Sequence, residues 1–130
     1  MTSEPNPLRE ATEDLNLALK EAEAKFIAAD IGTHAEVELT PTRILCFQKF
    51  NGKQWCFVVR EISATGEVTA FPLLSAPRET RIEAVYFLPS LYKNLLRAGA
   101  AGARRVLEAA AACRAWISDN QDIVIRDVEP

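Results

Sequence analysis

A chain of 130 residues can bury one hydrophobic core, and with about half its side chains apolar and a quarter charged it is neither disordered nor membrane-spanning in composition. Its net charge of −3 argues against indiscriminate attraction to a phosphate backbone, although a local basic face remains open. Cys46, Cys56 and Cys113 are an odd number with no C-x-x-C spacing, so neither a disulfide framework nor a zinc ribbon is signalled, and reduced core thiols are expected.

The start, "MTSEPNPLREATEDL", is acidic and polar and lacks the basic and apolar regions of a secretory signal, which sets the expectation of a cytoplasmic protein. After Pro5 and Pro7, apolar residues recur at steps of three and four: Leu8, Ala11, Leu15, Ala18, Leu19, Ala22, Phe26 and Ala29. That spacing predicts one long amphipathic helix, with Glu10, Glu13, Asp14, Lys20, Glu21 and Glu23 on a solvated side and Gly32 just past its end. From His34 the period becomes two. In "HAEVEL", Ala35, Val37 and Leu39 alternate with His34, Glu36 and Glu38, which describes a strand with one dry face. The runs "RILCFQKF" and "QWCFVVREI" flank Asn51-Gly52, a strong hairpin signal because a type I′ turn needs positive φ at both central positions. The turn "SATGE" leads to a fourth strand, "VTAFPLL", that Pro72 confines to an edge or cuts short.

Beyond Pro77 the pattern is helical. Pro89 is expected to break or kink it, and Gly99 and Gly102 mark a second weak point before a last helix over about 103–118. Residues 122–130, "DIVIRDVEP", read either as a short strand or as a loose end. The expected fold is one α+β domain over 1–130: an N-terminal helix, a four-stranded antiparallel meander sheet, then two or three C-terminal helices packed on one sheet face.

Taking Asn51-Gly52 as a two-residue loop, Phe50 faces Lys53, and Gln48, Cys46 and Ile44 fall opposite Trp55, Phe57 and Val59 on one face. The other face then pairs Phe47 with Cys56 and Leu45 with Val58, rimmed by Arg43, Lys49 and Arg60. The Trp55 face is the expected core, which leaves Phe47 as an uncovered aromatic with a basic rim. In this register Cys46 and Cys56 point apart, so no disulfide joins them. The strand order over about residues 35–98 resembles that of the Pur-type and Whirly-type single-strand binders, with no motif of either matched. The resemblance is one of fold alone; separately, an aromatic flanked by Arg43, Lys49 and Arg60 is the arrangement that base stacking and phosphate contacts need.

Catalytic signals are sparse. His34 is a lone histidine on a polar strand face, and there is no H-E-x-x-H, G-x-S-x-G or P-loop; "RAGAAGARR" reads as close helix packing. Glu36 and Glu38 on one strand face read as edge protection. An enzyme would have to draw on Arg78, Arg81, Glu79 and Glu83; no such chemistry, metal or cofactor is expected. Arg78 and Arg81 lie in the first turns of a helix beginning near Pro77, where a cation is disfavoured unless an anion compensates. An acid of the first helix, Glu79 or a partner's anion would serve, and Thr80 with Glu83 forms a capping-box pattern. In the last helix Ala103, Val106, Leu107, Ala110, Cys113 and Ile117 make one stripe, widened by Ala109, Ala112 and Trp116. A helix apolar over so much of its circumference is either central in the fold or meets another chain. The expected function is thus a non-catalytic accessory or adaptor protein acting by self-association, as a homo-oligomer, or by binding a protein partner. Single-stranded nucleic-acid binding through Phe47 and its basic rim is the alternative. The candidate binding residues are Phe47, Arg43, Lys49, Arg60, Arg78, Arg81 and Trp116.

Overall fold

The computed structural model of the chain describes residues 6–120, so residues 122–130, read above as a strand or a loose end, lie outside the described residues. Helix α1 spans Pro7–Ala28; Asn6 caps it by accepting the Arg9 N–H at 3.1 Å, and Pro7 takes the first position, where no N–H is needed. Asp30 and Gly32, both at positive φ, turn the chain into strand β1, Ala35–Thr40. Strands β2 (Arg43–Phe50), β3 (Gln54–Ile62) and β4 (Val68–Pro72) complete an antiparallel sheet in the order β1-β2-β3-β4. A 3-10 turn over Leu73–Ser75 leads to α2, Arg78–Val85, and then to α3, Leu88–Asp119. The α+β class, the meander and the order of helices are those expected from the sequence.

The hairpin register differs from that expectation by one residue. The Lys53 N–H donates to the Phe50 carbonyl across Asn51 (φ 55°) and Gly52 (φ 70°), so the turn has the two positive φ values of type I′. Lys53 nevertheless stays out of the ladder, which resumes with Phe50 opposite Gln54. The slip places Phe47 opposite Phe57 and Leu45 opposite Val59. A one-residue shift exchanges the faces of one strand relative to the other, and the adopted register puts the strongest apolar sets of both strands on one side. That side is the core: Leu45, Phe47, Phe57 and Val59 cluster with Leu19 and Phe26 of α1 and Leu91 and Leu95 of α3. The Phe26 ring lies 5.3 Å from that of Phe47 and 4.9 Å from those of Phe57 and Tyr92.

Helix α3 also departs from its expected form. Pro89 falls in its first turn, where proline is tolerated, and the helix runs unbroken through Gly99 and Gly102. Gly99 lies against Ile31, so closely that an added Cβ would overlap Ile31 Cγ2, whereas the space beside Gly102 is open. The first glycine is where the helix passes the rest of the fold. Beyond it, from Ala100 to Asp119, only Ala110 is even half-buried. Among the described residues no helix is long and apolar enough to cross a membrane.

Candidate functional site

The exposed half of α3 continues the face that its first half buries. Leu91 and Leu95 are completely buried against the sheet, and Gly99, Gly102, Val106, Ala109, Cys113 and Trp116 follow Leu95 at alternating steps of four and three residues. Such a repeat keeps all eight positions on one face, the seam along which paired helices meet. Yet Val106 is 68% exposed, Trp116 62% and the flanking Ile117 53%. The apolar surface therefore extends about five helical turns, roughly 27 Å from Gly102 to Asp119, past the last residue that the body of the fold covers. Leu107, also exposed, lies one helical step round from Val106 and off this seam. Arg97 and Arg104 lie on the opposite side, while Arg105 and Asp119 flank the seam along one edge.

Of the seven candidate binding residues named from the sequence, only Trp116 belongs to this surface. Phe47, expected on an uncovered sheet face, is 4% exposed beneath α1, with its ring stacked 5.3 Å from Trp55. Phe47 itself is therefore not a platform for bases, and Trp55 beside it is half-exposed. Of the three rim cations, Lys49 and Arg60 line one shallow hollow with His34 and Trp55, and Arg43 lies apart from them. Arg43 is on the core side, where its Nε lies 3.3 Å from Glu61 and its Nη1 3.8 Å from Glu83 of α2. Lys49 lies over the Trp55 ring at 5.8 Å. Arg60 is on the opposite face, paired with Glu36, and its Nε donates to Cys46 Sγ at 3.0 Å. The shifted register is the cause, because it puts odd-numbered residues of both strands on the core side.

Arg78 is exposed, while Arg81 turns inward and donates from Nη1 to Asn16 Oδ1 of α1 at 2.5 Å. The compensating group in α1 is therefore an amide oxygen where an acid was expected. Thr80 is buried without capping, Pro77 precedes the helix without a side-chain cap, and Glu83 faces Arg43, so the capping box does not form. His34 is exposed just ahead of β1. Edge strand β1 is held along α3, whose Asn94 Nδ2 donates to the Glu36 carbonyl at 3.0 Å.

The thiols also divide. Cys46 and Cys56 share the sheet face away from the helices, not opposite faces as the two-residue loop required, and both are free. Burial pushes both thiols up, with Glu36 adding to the effect at Cys46 and Glu23 at Cys56, while Arg60 opposes it at Cys46. Each is held protonated, a poor nucleophile. Cys113, expected in the core, is exposed on the α3 seam.

A surface hollow of about 480 Å³ is lined by Glu23, Phe50, Cys56 and Leu74. Its carboxylate is occupied in holding the sheet, since β4 ends at Pro72, opposite Val58, and Glu23 Oε2 accepts the Phe57 N–H at 3.0 Å just beyond that end. Among the described residues no group of His, Cys, Asp and Glu side chains is placed to hold a metal ion. Compared with protein-family models, curated proteins and solved structures, the chain matches none.

Proposed function

We propose that the protein is a non-catalytic accessory or adaptor protein that works through protein–protein contacts, with the exposed half of α3 as its docking element. The observation that carries this reading is the change in burial along one stripe: Leu91 and Leu95 are covered by the sheet, while Val106, Cys113 and Trp116 on the same face are left in water. Helices in proteins draw most of their stability from packing an apolar face, and the described residues leave this half of α3 without such packing. An apolar face that extends beyond its own fold is completed by another protein surface. The packed α1–sheet–α2 body then serves as the anchor that holds the first three turns of α3 and sets the direction of the rest.

The test compares the full chain with Val106→Glu and Trp116→Glu as baits, after circular dichroism and thermal melting show the same fold in all three. Both residues are exposed, so a charge there leaves the core intact. The expected result is that proteins retained by the wild-type chain, or self-association, are lost with either variant. Retention of every partner by both variants overturns the reading.

A further inference from the structure

We infer that the exposed half of α3 pairs with the same segment of a second copy, antiparallel about a two-fold axis that crosses the seam at the level of Ala111. The inference rests on the docking reading above and gives that surface its occupant.

The register follows from what is already in place along the helix. In an antiparallel pair, each seam position of the 3-4 repeat faces a seam position of the other copy, and facing residue numbers share a constant sum. A sum of 215 would bring Trp116 of the second copy onto Gly99, where Ile31 of the first already fills the space an added Cβ would need. A sum of 229 would set fewer of the described seam positions opposite one another, with Gly102 and Val106 facing none of them. The register between them, 222, covers the exposed stretch from Gly102 to Asn120 and no buried residue.

In that register large side chains meet small or medium ones. Trp116 packs across Val106, Cys113 across Ala109, and Ile117 beside Ala103. The charges agree with it as well. Arg105 and Asp119 occupy the same flank of the seam, and in an antiparallel pair each flank meets its own counterpart. With this offset the Arg105 of each copy lies within reach of Asp119 of the other, which makes two ion pairs per dimer from the two charges on that flank. A surface whose flanking charges and side-chain sizes complement themselves under a two-fold rotation is suited to its own copy. In this register the described part of each α3 ends opposite Gly102 of the other copy, short of Gly99 where the folded body begins.

Sedimentation equilibrium of the full chain, together with charge reversal, tests the pairing. Twice the 14.4 kDa chain mass is expected at micromolar concentration. Arg105→Asp and Asp119→Arg should each weaken association about tenfold, because two weak attractions become two repulsions. The double reversal should return it to within about threefold of wild type. Mild oxidation of Ala109→Cys should link residue 109 of one copy to Cys113 of the other. A double reversal no better than its parents, or a Cys113–Cys113 link in the wild-type chain, overturns the antiparallel register. A monomer over the whole range overturns self-pairing; if its captured partners are still lost with Trp116→Glu, the docking reading survives, and if they are retained, both fail.

Discussion

The two halves of α3 carry one apolar stripe and meet opposite surroundings. In the first half Leu91 and Leu95 are sealed against β1 and β2, and Gly99 is so tightly placed that Ile31 occupies the room of its missing side chain. In the second half Val106 and Trp116 continue the same spacing with most of their surface in water, and nothing lies within van der Waals reach of a side chain at Gly102. Periodicity thus specifies a face, while the extent of the neighbouring sheet decides how much of that face is core. On the proposed docking reading the difference also separates stability from function: the covered half holds the fold together, and the uncovered half meets the partner.

The sharpest way to break this comparison is to truncate one side chain in each half. Leu95→Ala should cost about 2–5 kcal/mol in denaturant unfolding, the usual loss for a buried leucine, because it leaves a cavity against the sheet. Val106→Ala, measured at dilution that keeps the chain a single copy, should cost less than about 0.5 kcal/mol, as an exposed substitution does. Comparable losses at the two positions would mean the second half is packed in solution.

The two glycines give a smaller and opposite pair of effects. Gly102→Ala should stabilise by up to about 1 kcal/mol, since alanine is the better helix former and the space is open. Gly99→Ala should instead lose about 1–2 kcal/mol, because Ile31 must move to admit the methyl group. Thermal melting of both variants checks the sign, and a stabilised Gly99→Ala would show that α3 does not press on Ile31 there.

Thiol chemistry sharpens the contrast without any mutation. In dilute native protein Cys113 should be labelled by an aromatic disulfide reagent at least about tenfold faster than Cys46, which should react only on unfolding. The Cys113 rate should fall as concentration rises and the seam is covered; a rate independent of concentration would count against pairing through α3.

The smallest effect expected is on pH dependence. The folded-state pKa values of Cys46 and Cys56 are raised, chiefly by burial, so the folded chain holds these protons more tightly than the unfolded one. Their stabilising contribution is therefore complete below the ordinary thiol pKa and is lost as pH rises through the raised folded values. Denaturation midpoints should decline as pH rises past the ordinary thiol pKa of about 8.5, and Cys46→Ala should flatten that decline. A slope unchanged in Cys46→Ala would place its thiol outside the pH-linked balance.

How far the sequence reached can be judged at particular residues. Periods of 3.6 and 2 are local properties, so α1, the four strands, the Asn51-Gly52 turn with its two positive φ values and the apolar stripe of α3 were all legible before any contact was known. Trp116 was legible too, because it widens a helix surface already too apolar for one neighbour. The register of β2 against β3 was not, since a type I′ turn does not say whether Lys53 joins the ladder. That choice is made by which residues can reach Phe26 and Leu19 of α1, and it moved Phe47 from a candidate platform into the core. Gly99 and Gly102 read as weak points from propensity, yet the close approach to Ile31 makes the first a point of contact and lets the helix continue. The order of elements and their apolar faces are encoded in neighbouring residues; what covers each face is settled only where distant segments meet, and on α3 that cover ends at Gly99.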